Sequence, residues 1–138
     1  MSRNRGAVKK MLKVRDIMVK KVVTAKENTT IERAIEMFYQ KHIGSVVITN
    51  QDEKCRGIFT ERDAIRTVAQ KIPLTTPLRK VMTKKVITIR QGATLSEAMG
   101  VIASHRVRHL PVVDRQEKIV GLLSMRAFLD ELFGIKKM

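Results

Sequence analysis

Residues 14–65 and 78–129 are one segment written twice. Sliding residue 14 onto residue 78 aligns the copies without a gap. It matches Arg15, Met18, Lys20, Lys21, Val22, Thr24, Thr30, Ala34, Glu53, Lys54, Gly57 and Arg62 with identical residues, and the apolar pattern between them is kept. A duplicated supersecondary unit leaves this trace. A unit of about 50 residues is too small to bury a secure core alone, so the copies are expected to share one. The expected division is a basic arm at 1–13, a first repeat at 14–72 and a second at 73–138.

Hydrophobic content of 43% without low-complexity tracts is that of a globular chain. The longest apolar runs, such as 119–123, fall far short of the roughly 20 residues that span a bilayer. The basic N-terminus is not followed by an apolar stretch of signal-peptide length, so the chain is read as cytoplasmic, with no membrane partner. A single cysteine, Cys55, cannot form an intrachain disulfide. The net charge is +15, and about half of the excess sits in the first 21 residues, where Arg3, Arg5, Lys9, Lys10, Lys13, Arg15, Lys20 and Lys21 face only Asp16. Such an arm attracts polyanions, whether nucleic acid, anionic lipid or a phosphorylated ligand; a solvated arm with no partner is the competing reading.

Within each copy the pattern reads β-α-β-β-α, giving an α+β fold. The β-branched run 22–25 precedes Thr30, a helix N-cap, and Ile31, Ala34, Ile35 and Phe38 recur at helical spacing. In the second copy Thr94 caps a helix with inward face Leu95, Ala98, Met99 and Ile102, and Glu97 completes a capping box. Strands are predicted at 45–49 and 57–59, and at 109–113 and 121–123. The closing helices present Ala64, Ile65, Val68 and Ala69 in one copy and Phe128, Leu129, Leu132 and Phe133 in the other, with Gly134 as the last stop. Thr76 before Pro77 reads as a cap with proline at the first helical position.

An enzyme is hard to find among these residues. There is no nucleophile elbow, Walker loop or dinucleotide fingerprint. His105 and His109 are four apart, but a strand begins near His109 and no third metal ligand is evident, so no metal site is assigned. Cys55, beside Arg56 but without an acid–base partner, is read as an inert thiol. The sharper signal is the junction Gly57-Ile58-Phe59-Thr60-Glu61-Arg62-Asp63, mirrored by Gly121-Leu122-Leu123-Ser124-Met125-Arg126-Ala127. A hydroxyl at a helix N-terminus, with free N–H groups and the helix dipole, is a seat for phosphate, and Asp63 one turn on can accept from a ribose diol. Thr60 and Asp63 also stand at N-cap and N3, and taken alone the pattern is more often a cap than a site.

The whole arrangement resembles a pair of CBS domains, the cystathionine beta-synthase type of repeat. The residues that carry it are Val14-Arg15-Asp16-Ile17-Met18, Thr24, the run from Arg106 through Val107, Arg108, His109, Leu110, Pro111, Val112 and Val113 to Asp114, and the Gly-Ile-Phe-Thr-x-Arg-Asp junction. The resemblance spans nearly all of 12–133. It implies a pseudo-two-fold module with two clefts between the copies that take adenosine-containing ligands such as AMP, ADP, ATP or S-adenosylmethionine, with no required cofactor. It implies a first site in which Thr60 meets a phosphate, Asp63 the ribose, Thr24 with Gly44, Ser45 and Val46 the base, and Ile58 apolar cover. The implied second site uses Thr88, His109, Pro111, Leu122 and Ser124, with Arg106, Arg108 and His109 toward phosphates and Arg62 and Arg126 near the helix starts. Ala127 departs from the pattern, since a methyl cannot accept from a diol, and the second site is expected to be the weaker.

The leading expectation is a regulatory nucleotide-binding module that is not an enzyme, pairs as a homodimer and acts through a partner or effector protein. The alternative is a nucleic-acid binder using the arm and the Arg106–His109 cluster; aromatic content of only 4% leaves few stacking platforms for it.

Overall fold

The computed structural model describes residues 12–134; Arg3, Arg5, Lys9 and Lys10 of the basic arm lie outside the described residues. In chain order the elements are α1 (Val14–Ile17), β1 (Thr24–Lys26), α2 (Ile31–Lys41), β2 (Ser45–Thr49), β3 (Cys55–Thr60), α3 (Glu61–Ala69), a 3-10 turn (Leu78–Lys80), β4 (Ile89–Arg90), α4 (Leu95–His105), β5 (His109–Val113), β6 (Ile119–Ser124) and α5 (Met125–Phe133). The mixed α+β reading and the β-α-β-β-α order are both observed, twice.

The chain divides into two compact units, Val22–Val86 and, among the described residues, 12–21 with 87–134. Each unit therefore holds the body of one repeat and the lead-in of the other, a partition different from a division at 72 and 73. The reason lies in backbone hydrogen bonding. In the first-repeat unit Leu78 N–H donates to Thr29 O (2.8 Å), Arg79 N–H to Glu27 O (3.0 Å), and Ile58 and Thr83 exchange two bonds of 3.0 Å. In the second-repeat unit Val14 N–H donates to Ala93 O (2.8 Å), Arg15 N–H to Gln91 O (3.1 Å), and Leu122 and Val19 exchange the same pair. These are the same bonds at equivalent positions. A 50-residue copy does not close its core alone; the lead-in of the other copy completes it.

Each unit has a three-stranded sheet, in order β1-β2-β3 or β4-β5-β6, with the first pair parallel and the second antiparallel. A register shift recurs at Ile48/Thr49 and Val112/Val113. One difference has a simple cause. Val47 N–H donates to Val23 O at 3.2 Å, whereas the equivalent residue in β5 is Pro111, which has no N–H. β4 accordingly pairs with β5 only from Ile89 onward, and is one residue shorter than β1.

Thr30 and Thr94 cap α2 and α4 as expected, accepting from Arg33 N–H (3.1 Å) and Glu97 N–H (3.0 Å). At Thr94 only the hydroxyl half of the expected capping box forms. Asn50 and Asp114 build the turns, each side chain accepting two backbone N–H groups within four residues. Gly134 stops α5 in the left-handed region, φ 66°. Pro77 itself, not Thr76, stands at the N-cap of the 3-10 turn.

One face of each sheet packs on its helices. Ala25, Val46, Ile48 and Phe59 meet Ile31, Ala34, Met37, Phe38, Ala64 and Leu78, with Phe38 and Phe59 stacked at 6.1 Å. Leu110, Val112 and Leu123 meet Val14, Leu95, Ala98, Ile102 and Phe128. The closing helices bury less than their apolar pattern suggests. Ala64 and Phe128 are buried, but Ile65, Val68, Leu129, Leu132 and Phe133 are exposed, as is Met99 on α4.

Gly57 is required by close approach, since a Cβ there would lie 2.6 Å from Met82 Sδ and 2.9 Å from Thr83 O. Gly100, within α4, has nothing within 4 Å. Gly57→Ala is expected to destabilise by about 1–3 kcal/mol through overpacking. Gly100→Ala should stabilise by about 1 kcal/mol through helix propensity. Urea denaturation midpoints of the two variants, moving in opposite directions, check both.

Candidate functional site

Side chains alternate along a strand, so residues that share a register row share a face. With Ala25, Val46, Ile48 and Phe59 committed to the core, the rows Thr24↔Val47↔Ile58 and Ser45↔Thr60 present their side chains on the opposite face of the first sheet. That face runs into the start of α3. Glu61 N–H donates to Gly44 O at 3.0 Å, tying the entry of β2 to the first helical residue. Thr60 Oγ1 accepts from Asp63 N–H (3.2 Å), and Asp63 Oδ2 accepts from Thr60 N–H (2.9 Å) and from the Thr60 hydroxyl (3.1 Å).

Asp63 thus completes a reciprocal capping box. Its other oxygen, Oδ1, lies 3.5 Å from Arg66 Nη2, and that guanidinium also donates to Val81 O at 2.9 Å. A carboxylate offers about four acceptor positions. The cap and Arg66 fix its orientation and leave acceptor capacity for a further donor. The arrangement is a carboxylate held rigid at a helix start, beside a hydroxyl and at the end of an apolar strip.

Of the residues singled out in the sequence, Gly44, Ser45, Thr60 and Asp63 converge, and Thr24 and Ile58 lie along the same face. The Val46 side chain is in the core, so only its backbone borders that face. Arg62 is exposed on the first turn of α3. Val47 lies on the face without having been singled out; counting two residues on from Ser45 finds it.

The second sheet repeats the register, with His109↔Ser124 and Pro111↔Leu122 on the face opposite Leu110, Val112 and Leu123. Met125 N–H donates to Arg108 O at 2.8 Å, as Glu61 does to Gly44. Ser124 Oγ accepts from Ala127 N–H at 3.1 Å, and with alanine at that position no carboxylate returns the bond. Thr88 immediately precedes β4. Arg106 takes the left-handed position that ends α4, φ 53°, and Arg106, Arg108 and Arg126 are exposed. His105 ends α4 while His109 begins β5, so the two share no helical face. Among the described residues no group of three or more His, Cys, Asp or Glu could hold a metal ion, and no helix is long and apolar enough to cross a membrane.

The helices leave an apolar groove on each unit. One of about 870 Å³ is lined by Ile35, Phe38, Tyr39, Ile65 and Val68, and one of about 430 Å³ by Met99, Val107, Leu129 and Leu132. Tyr39 is 83% exposed and Ile65 69%. Neither groove is legible in the sequence, where the same spacing reads as an inward face.

Burial pushes the Cys55 thiol above its ordinary value of 9.0, with a backbone hydrogen bond at Gly57 partly opposing. The folded protein therefore holds this proton where the unfolded chain releases it. The associated stability is complete below about pH 9 and is lost as pH rises toward the folded value. Comparing urea midpoints of the wild type and Cys55→Ala from pH 8 to 10 should show the wild type losing more, and its thiol should alkylate more slowly than free cysteine at pH 8.

Comparison with known proteins adds to this geometry. A family model described as CBS domain matches residues 14–70 and 78–134. The CBS domain-containing protein YhcV of Bacillus subtilis is 33% identical over 83% of this chain and 81% of its own. The CBS domain pair of protein MJ0100, solved with 5′-methylthioadenosine and S-adenosyl-L-methionine, superposes with a TM-score of 0.82 at 27% identity, covering 92% of this chain and 99% of that one. CBSX2, solved with AMP, shares the fold at 20% identity and a TM-score of 0.77, over 91% and 98% of the two chains. Other curated relatives are longer proteins, of which the chain spans as little as 22%.

Proposed function

The chain belongs to the CBS domain family, as a tandem pair, and on that premise we propose that it is a regulatory module whose ligand is an adenosine-containing molecule bound at the Thr60–Asp63 end of the first sheet. The observation that carries this reading is the rigidly held Asp63 carboxylate beside Thr60 at the start of α3. A ribose diol needs an acceptor that does not have to be reorganised on binding. A phosphate tail then lies near the α3 N–H groups, with the exposed Thr24 and the edge of Ile58, on the same face of the sheet, toward the base. The MJ0100 pair and CBSX2 hold ligands whose common part is adenosine, which supports the choice of class.

The second site, with Ala127 in the acid's place, is proposed as the weaker. Losing a buried polar contact of this kind costs about 1–3 kcal/mol, or roughly tenfold and more in affinity. Ligand occupancy can act only if it favours one packing arrangement over another. The proposed arrangement is a homodimer through the exposed helix faces, supported by the apolar surface of Tyr39, Ile65 and Val68, with an effector protein or the basic arm as the reader of the change.

Thermal unfolding with AMP, ADP, ATP, S-adenosylmethionine and 5′-methylthioadenosine, with CMP as control, tests the ligand. Each shift is read against the variant's own ligand-free midpoint, so loss of the cap in Asp63→Ala cancels. At a hundredfold excess over Kd the folded state gains about 2.7 kcal/mol, several degrees for a chain of this size. The expected result is a shift by at least one adenosine ligand, absent with CMP and absent in Asp63→Ala, and strengthened by Ala127→Asp. Equal shifts by CMP, or an unchanged Asp63→Ala, would overturn the reading and leave α3 with a cap only. The dimer is tested by light scattering after gel filtration: Ile65→Asp/Val68→Asp should halve the mass while leaving the far-ultraviolet dichroism intact.

A further inference from the structure

At the other end of β3 from Thr60, about 17 Å away at 3.3–3.4 Å per residue, lies a polar cavity of about 440 Å³. It is lined by Glu27 after β1, Cys55 and Arg56 at the start of β3, Arg79 and Lys80 of the 3-10 turn, and Met82 and Lys84 beyond it. Its walls are held by backbone bonds, Arg79 N–H to Glu27 O and the Ile58–Thr83 pair, so the cations do not sit on a loose loop. Arg79 Nη1 donates to Asn28 Oδ1 at 2.7 Å, which aims the guanidinium, and Arg56 Nε lies 3.4 Å from Glu27 Oε1. Four cations thus share one concavity with one carboxylate. Among the described residues no carboxylate pairs with Arg79, Lys80 or Lys84.

The duplication supplies an internal comparison. The equivalent backbone positions of the second-repeat unit carry Gln91, Ile119, Val120, Arg15, Asp16, Met18 and Lys20. The same hydrogen bond is made there, Arg15 N–H to Gln91 O. Where one unit has Arg56 and Lys80, the other has Val120 and Asp16. The scaffold does not require cations at these places, and clustering them carries an electrostatic cost that a bound anion relieves.

The geometry points to an oligophosphate-binding site in this cavity, taking a free oligophosphate or the phosphate chain of a nucleotide or coenzyme. Two guanidinium and two ammonium groups suit a multiply charged, many-oxygen anion better than a single carboxylate. No aromatic side chain lines the cavity, and four cations do, so the phosphate chain rather than a base is what is recognised. At physiological salt the screening length is about 8 Å, so charges within the cavity act on a bound anion far more strongly than charges beyond that distance.

The test uses calorimetric titration of the full chain at physiological salt with tripolyphosphate and with CTP, whose base the Asp63 site is not expected to accept. The variant is Arg56→Val/Lys80→Asp, which introduces the residues the second repeat carries at the same positions and takes the lining from three net positive charges to none. Expected is saturable binding to the wild type, at least tenfold weaker in the double variant and unchanged in Asp63→Ala. Tighter tripolyphosphate than CTP assigns a free oligophosphate, and the reverse a phosphate tail. No saturable binding to the wild type, equal binding to the double variant, or a single-stranded oligonucleotide that outcompetes both probes at this cluster would overturn the site. Binding lost in Asp63→Ala would do so too, by moving the phosphate to the other end of β3.

Discussion

Two reciprocal backbone pairs, Ile58 with Thr83 and Leu122 with Val19, close the two units, and both candidate sites of the first-repeat unit depend on the closure. They dock a lead-in beside each antiparallel β-strand pair. They bring Met82 and Met18 so close to Gly57 and Gly121 that no Cβ fits at either glycine. They also bring Arg79, Lys80 and Lys84 to the end of β3. The lead-in of one repeat serves the body of the other, so a single-repeat fragment would lack both the lid on its core and the wall of its cationic cavity.

Asp63 shows how one side chain can serve structure and ligand together. Its bonds to the Thr60 amide and hydroxyl are those of an ordinary capping box, and Arg66 steadies the remaining oxygen. Preorganisation of this kind is what a diol acceptor needs, because the cost of orienting the carboxylate is met in folding rather than in binding. Ala127 removes the return bond in the second unit while Ser124 keeps the hydroxyl half. The repeat therefore diverged at a position where loss weakens a helix start only modestly but removes an acceptor altogether.

The two ends of β3 have opposite characters. One carries a hydroxyl and a fixed carboxylate; the other is cationic. Met82 packs against Gly57 near the cationic end, so the lead-in touches the strand that joins the two places. The exposed apolar helix faces are a third surface, on the core side of the sheet rather than on the face that carries Thr24 and Ile58.

The repeat, the order β-α-β-β-α, the caps at Thr30 and Thr94 and the stop at Gly134 were all legible in the sequence. The repeat shows as self-similarity along the chain, and the elements, caps and stop each depend on residues within a few positions of one another, where hydrogen bonding and steric preference act locally. The pairing of Ser45 with Thr60 came only with the tertiary structure, since alternation assigns a residue to a face without choosing its partner across the sheet. Which lead-in closes which body could not be read, because two lead-ins so alike fit either body equally well in sequence and only chain geometry chooses. The fate of Ile65, Val68 and Leu129 was hidden for a related reason, since periodicity marks a face as apolar without saying whether anything covers it. The meeting of Arg56 with Arg79 and Lys84 was equally invisible, because residues so far apart in the chain become neighbours only when long-range backbone pairing brings them together.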